Sequence, residues 1–280
     1  MLGGEAEMVV VTTTGDRRAD VPVWTMGGTG VFVKEVEAAV LEGRADLAVH
    51  SAKDLPSDTA PGLRLAAVPE RADPRDALVG HALDAISTGG RIGTGSVRRR
   101  AQLAALRPDL TFGSLRGNLE TRVAKAVNFD AVVVAVAAME RLGLVDKVAE
   151  VLEPSVMLPQ VAQGALAVEC REDDAETCAA VMALDDPAAR AAVEAERAFL
   201  RQLGGGCDLA CGALAEVRSG GGVRIDVLLA SLDGHMVLRT DHEGDDPVAV
   251  GTEAARILLD DCGGRAVLDD TVVPAVLPLG

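Results

Sequence analysis

The apolar positions along the chain change period from one segment to the next. Val9 to Thr13 reads as a short buried strand, whereas Val31 to Leu41 carries Phe32, Val36, Ala39 and Val40 at helical spacing, with Gly43 as a stop. Leu47-Ala48-Val49 is again strand-like and runs into the turn His50-Ser51-Ala52-Lys53-Asp54-Leu55-Pro56. A valine run from Asp130 to Val136 repeats the way Leu47 to Val49 follows Asp46. Strands interleaved with helices predict parallel sheets of βαβ units, and the two half-similar blocks predict two α/β lobes with a cleft between them.

The last third follows another pattern. Asp186-Pro187 supplies an N-cap and a first-turn proline for a helix that runs through Arg197 to Leu203 and stops at Gly204. Strand-like runs follow at 213–217 and 223–230, Asp233-Gly234 marks a hairpin into Met236-Val237-Leu238, and a final helix is predicted over 248–260. The pattern is that of a small α+β domain with an antiparallel sheet, entered through Gly204-Gly205-Gly206-Cys207.

Composition narrows this picture. At 280 residues the prior is two domains, with one or three allowed. Four Phe, one Trp and no Tyr leave Ala, Val and Leu to build the core and exclude a face of stacked aromatics for single-stranded nucleic acid. The balance of 27 Lys+Arg against 43 Asp+Glu, a net charge of −16, opposes attraction to nucleic acid or anionic membranes. No apolar run reaches the ~20 residues of a membrane span, and the acidic opening residues are unlike a signal peptide. Five cysteines, an odd number, predict reduced thiols in the cytosol rather than a disulfide framework. Cys207 and Cys211 have ligand-like spacing, but no His or second Cys pair lies near them in sequence, so no metal site is expected.

Against the net charge stands one basic stretch, Ile92-Gly93-Thr94-Gly95-Ser96-Val97-Arg98-Arg99-Arg100-Ala101-Gln102-Leu103. Ser96 caps a helix that ends before Pro108, so three arginines fall in its first turn, where the macrodipole disfavours cations. A bound anion, held by free N–H groups and guanidinium forks, offsets that cost; a solvated basic patch is the alternative. Leu115 to Arg122 repeats the logic, with Arg116 and Arg122 on either side of an Asn118 N-cap, and Arg141 follows the valine-rich strand. These arginines predict a pocket for several carboxylates or phosphates on one ligand. Asp54, just past a strand, is placed for acid–base work or for stabilising a cation, although a turn cap ahead of Pro56 is the commoner fate of such an Asp. His50 reads as a packing residue. Cys207, flanked by three glycines, is an open thiol, and Gly27-Gly28-Thr29-Gly30 reads as a flexible loop.

Taken together, these pieces resemble the porphobilinogen deaminase (hydroxymethylbilane synthase) family. The likeness rests on Gly27 to Glu35 (GGTGVFVKE), Arg44 to Pro56 (RADLAVHSAKDLP), Asp73 to Ala77 (DPRDA), Ile92 to Leu103, Ser114 to Arg122 (SLRGNLETR), Gln163 to Arg171 (QGALAVECR) and Glu196 to Cys207 (ERAFLRQLGGGC), in that order. It implies two periplasmic-binding-protein-like lobes plus the small C-terminal domain: residues 1–70 with 163–184, residues 73–160, and residues 186–280. It also implies a transferase that condenses four porphobilinogen units with loss of ammonia and releases hydroxymethylbilane. The implied primer is a dipyrromethane cofactor joined by a thioether to Cys207. Asp54 would be the essential acid, supporting proton transfers through cationic azafulvene-like intermediates, beside Lys53. Arg98, Arg99, Arg116, Arg122 and Arg141 would hold acetate and propionate groups, with Thr94 and Ser96 as hydroxyl donors. A cytosolic monomer acting on a small molecule follows, with no nucleic-acid or membrane partner.

Three departures accompany the likeness. The family's opening strand–helix unit, with its R-x-S-x-L-A-like motif, has no counterpart before Val9, which makes a truncated first lobe the expectation. A non-catalytic carboxylate-binding protein or an inactive truncated copy are the alternatives this leaves. Ala162 stands where the family has Gly, and Thr25 and Thr29 stand where it often has Lys.

Overall fold

In the computed structural model, which describes residues 6–13, 33–205 and 209–271, the described residues build three sheets. Helix α1 (Lys34–Leu41) buries Ala39 and Val40 and leads to Gly43 at φ +72°, a left-handed position that suits glycine. Strands β1 (Leu47–Ser51) and β2 (Leu63–Ala67) follow, and the chain then crosses to a second lobe. There it forms β3 (Asp76–Gly80), β4 (Arg91–Gly93), α2 (Val97–Leu106) and β5 (Thr111–Gly113). The lobe continues with α3 (Leu119–Ala124), β6 (Ala131–Ala135), α4 (Val136–Arg141) and β7 (Val148–Leu152). The sheet order is β5-β4-β6-β3-β7, with β4 parallel to β5 and β6 and β3 antiparallel to β6 and β7. On its return the chain inserts β8 (Leu166–Arg171) between β1 and β2, antiparallel to both.

The mixed α/β architecture read from the sequence is therefore present, but the sheets are not purely parallel. A βα unit such as β4–α2–β5 brings the next strand back in the same sense, whereas β3 and β8 arrive directly from the other lobe and run against their neighbours. The strand expected at Val9 to Thr13 is also absent: no described strand pairs with it, and Val9 and Val10 stay exposed while Thr13 is buried. Phe32 and the Gly27 to Gly30 loop lie outside the described residues.

The C-terminal portion matches its pattern closely. After α5 (Ala175–Met182), helix α6 (Pro187–Leu203) is capped by Asp186, whose side chain accepts from the Ala189 N–H, and ends at Gly204 with φ +67°. Strands β9 (Cys211–Val217), β10 (Val223–Ala230) and β11 (Val237–Gly244) form an antiparallel sheet in the order β11-β10-β9. Helices α7 (Pro247–Arg256) and α8 (Gly264–Thr271) close the described chain.

The largest core cluster spans lobe one and the C-terminal portion: Ala192, Val193, Ala195 and Phe199 of α6 pack with Ala52, Val68, Ala165, Ile225 and Val250. Small side chains let elements approach closely, as the aromatic-poor composition demands. A Cβ on Gly251 of α7 would run into the Ala195 backbone of α6. The same closeness governs the crossover between lobes. Ala162 sits there at φ +58°, where a Cβ costs about 1–2 kcal/mol, which is the physical reason for glycine at this position. Gly164, at φ +88°, has no room for a Cβ against the Ala72 carbonyl oxygen on the opposite crossover. Gly164→Ala is expected to lower stability by roughly 2–4 kcal/mol, from strain and overlap combined. Urea unfolding midpoints check this, and an unchanged midpoint would show that the crossover has slack.

Candidate active site

The end of β1 continues into a single 3-10 turn, Ala52–Asp54, which projects Lys53 and Asp54 toward the second lobe. Asp54 is exposed to water and no described residue donates a hydrogen bond to its carboxyl. Even so, protein surrounds it closely enough that loss of bulk solvent raises its pKa, opposed by the charges of Lys53, His50 and Arg122. Burial likewise lowers the pKa of Lys53, whose side chain is partly exposed. Water contact combined with crowding by protein is the environment of a cleft floor, where a carboxylate and an ammonium both titrate closer to neutrality than usual.

Behind this floor lies a second carboxylate. Asp76, the first residue of β3, is wholly buried and accepts from Arg99 Nε (3.1 Å) and Nη2 (2.7 Å) and from Gln163 Nε2 (2.9 Å) on one oxygen. Its other oxygen is 2.8 Å from Arg98 Nη2. Burial alone would raise its pKa, but Arg98, Arg99 and Gln163 outweigh that and hold the carboxyl well below the usual range. Two further donors also go to protein, Arg98 Nη1 to Leu158 O (2.6 Å) and Arg99 Nη1 to Val133 O (2.9 Å), while Arg98 Nε is buried with no partner among the described residues. Gln163 joins this group to the floor, its Oε1 lying 3.5 Å from Lys53 Nζ and its Nε2 also donating to Pro74 O at 2.8 Å.

The helix start that orders these arginines forms as its sequence suggests. Ser96 Oγ accepts from the Arg99 N–H (3.4 Å) and Thr94 Oγ1 from the Ser96 N–H (3.1 Å), leaving each hydroxyl proton free to donate elsewhere. Asn118 caps α3 through the Thr121 N–H at 2.9 Å. Arg122 is steered by its Nε donating to Gly117 O (2.8 Å), and its titration senses burial first, then Arg99, Arg116 and Asp54. Burial also lowers the pKa of Arg116. Lys53, Asp54, Arg98, Arg99, Arg116 and Arg122 thus form one electrostatically linked group. Arg141 is different: its Nη2 donates to Gly164 O at 2.8 Å, so it clasps the crossover. Cys207 lies outside the described residues; its loop begins at Gly204, directly after α6.

Pattern reading missed the groups that lock the crossovers. Glu196, fully buried in α6, accepts from Arg71 Nη1 (2.6 Å) and Nη2 (3.2 Å), from the Ala162 N–H (2.5 Å) and from the Ala215 N–H (2.8 Å). One carboxylate so ties both crossovers and β9 to α6, and Arg71 Nε adds a bond to Gln163 O at 2.9 Å. The available signal was an acid on the apolar stripe of a helix, beside Val193 and Phe199.

Five cations, Lys53, Arg98, Arg99, Arg116 and Arg122, face two carboxylates, Asp54 and Asp76, in a chain of net charge −16. Fold and cluster together define a class: a two-lobed α/β protein, its chain crossing between the lobes and returning, with a local cationic site suited to a polycarboxylate. Residues 2–179 match the family described as porphobilinogen deaminase, dipyromethane cofactor binding domain, and residues 190–260 match porphobilinogen deaminase, C-terminal domain. The chain belongs to the porphobilinogen deaminase family. It is 49% identical to the porphobilinogen deaminase of Roseiflexus sp. (strain RS-1) over 92% of this chain and 86% of that protein. Against that of Syntrophus aciditrophicus it is 47% identical over 94% of this chain and 88% of the relative. Among solved structures, a periplasmic sulfonate-binding protein from Methylobacillus flagellatus aligns at 16% identity and a TM-score of 0.33, over 60% of this chain and 52% of that one. At that score the fold assignment stands on the sheets described above.

Proposed function

We infer that the chain performs its family's reaction: stepwise condensation of porphobilinogen units onto a covalent dipyrromethane primer, with release of ammonia and finally hydroxymethylbilane. The observation that carries this reading is Asp54, a water-exposed carboxylate without a described hydrogen-bond donor, on a crowded floor beside Lys53 and Arg122. An anionic carboxylate there stabilises positive charge that develops on a pyrrole and accepts or returns a proton at its own oxygens. Lys53 sets the field around it and, held near Gln163, keeps the floor in register with Asp76.

The residues present fit the family's cofactor. A group carrying several carboxylates complements an excess of guanidinium donors, and Arg98 Nε, buried without a partner among the described residues, is a donor left for it. When bound, the dipyrromethane supplies the pyrrole terminus to which substrate is joined. We assign Cys207 as its attachment point, Thr94, Ser96, Arg98 and Arg99 as its ligands, and Arg116, Arg122 and Arg141 as substrate-binding residues. Lys53 and Asp54 are the catalytic pair. We further propose three domains: residues 1–70 with 163–184, residues 73–160, and residues 186–280. The net charge of −16 supports a monomer without nucleic-acid partners, through self-repulsion and repulsion of phosphates. Cys170, Cys178 and Cys262, which form no disulfide among the described residues, support a reducing, cytosolic setting.

Intact mass of freshly purified protein tests this reading. The expected result is an increment of two linked pyrrole units, absent in Cys207→Ala, which should also lose turnover. An unmodified wild-type mass without turnover of porphobilinogen would sink the catalytic assignment.

A further inference from the structure

Two cysteines outside the site face each other in lobe one. Cys170, in β8, is completely buried, and Cys178, in α5, is 5% exposed; their Sγ atoms lie 2.9 Å apart. Ala66, Ala67, Val168 and Val181 surround them. The turn between them is fixed on its own account. Asp174 accepts from the Thr177 N–H (3.0 Å) and Oγ1 (2.9 Å), and Arg171 Nη2 lies 2.7 Å from its carboxylate. The two thiols are therefore held in contact by a pre-formed loop, and a bond of about 2.05 Å needs only a further approach of roughly 0.9 Å.

We propose that Cys170 and Cys178 are a redox-closable pair, which a hydroperoxide converts into a disulfide stapling α5 to β8. Cys178 is the nearer to solvent and takes the first step. Its sulfur attacks the peroxide O–O bond; an S–O bond forms, the O–O bond breaks, and one water leaves. Cys170 sulfur then attacks the Cys178 sulfenic acid; the S–S bond forms, the S–O bond breaks, and a second water carries away the Cys170 proton. In sum, two thiols and one hydrogen peroxide give one disulfide and two waters, the thiols losing the two electrons that the peroxide oxygens gain. Burial, then the hydrogen bond with Cys178, push the Cys170 thiol up to about 12, which disfavours it as the first nucleophile and leaves that step to Cys178. Burial also selects the oxidant, since a molecule of nearly water size enters on a local opening while a bulky disulfide is excluded.

The staple sits away from the chemistry. Cys170 pairs with Leu47 at the start of β1, whereas Leu166 pairs with Ser51 at the end that carries Asp54, about 13 Å along the strand. Oxidation is thus expected to add rigidity and leave turnover within twofold. In the experiment, purified holoprotein is exposed to hydrogen peroxide, followed by digestion with trypsin without reduction. Cleavage after Arg171 separates the two cysteines, so the expected result is a linked pair of peptides lighter by two hydrogens. The thermal midpoint should rise by about 5 °C and return on reduction. Cys178→Ala should show neither change. Unlinked peptides, sulfinic acid accumulating at either cysteine, or the same midpoint rise in Cys178→Ala would each overturn the proposal.

Discussion

Asp54→Asn is expected to lower kcat by about 10²–10⁴-fold while leaving the fold intact. The exchange preserves shape but removes the charge, and no hydrogen bond to a described residue depends on that carboxyl, which is exposed. What is lost is the anion facing a cationic group and a proton acceptor in the same place. The pH dependence follows from its surroundings. Crowding raises the Asp54 pKa, so activity should fall on the acid side at a higher pH than an ordinary carboxylate would give. Arg122 is one of the charges that hold this shift back, so Arg122→Gln should move the acid limb of kcat to still higher pH. Pre-steady-state and steady-state turnover with porphobilinogen across pH 4–8, with circular dichroism as the folding control, measure both effects. Retention of a tenth or more of the activity by a folded Asp54→Asn protein would remove Asp54 from the mechanism.

Much of the candidate site was legible because its residues are local in sequence. Lys53 and Asp54 follow one strand, and Ser96 caps the helix whose first turn holds Arg98 and Arg99, so strand, cap and charge pattern point to them together. The same holds for α6, where Asp186, Pro187 and Gly204 mark both ends. The partners of these groups were not legible. Asp76 meets Gln163 across 87 residues, and Arg71 meets Glu196 across 125, pairings created only when the chain crosses between lobes and returns. Strand direction failed for the same reason: periodicity identifies a strand but carries no information on the side from which it enters a sheet. The charge pattern also left open what the arginines bind. It suggested forks offered to a ligand, whereas Arg99 directs two of its donors to Asp76 and a third to a carbonyl. The Ala162 departure gained its meaning from φ +58°, a backbone quantity that a single sequence does not display.

Asp76→Asn is expected to destabilise the protein by about 3–5 kcal/mol, because it leaves the buried guanidiniums of Arg98 and Arg99 without their counter-charge. Asn keeps an oxygen for Gln163 and Arg99, but its amide NH2 then faces Arg98 Nη2, donor against donor, so the loss combines the counter-charge with the Arg98 pairing. The sign of the pH effect is fixed by the depressed carboxyl. Its folded-state pKa lies below the unfolded value of about 3.9, so its contribution is fully present above that pH. As pH falls below about 4 toward the folded-state value, the contribution is progressively lost. The stability gap between wild type and Asp76→Asn should therefore be constant from pH 7 to about 5 and narrow at lower pH, as measured by urea unfolding. A second comparison ties the effect to the site. Ligand carboxylates at the arginine cluster would replace part of the missing charge, so the gap should be smaller in cofactor-loaded protein than in a Cys207→Ala background. A gap that ignores both pH and cofactor would mean that Asp76 serves packing alone, and that Arg98 and Arg99 do not hold the dipyrromethane.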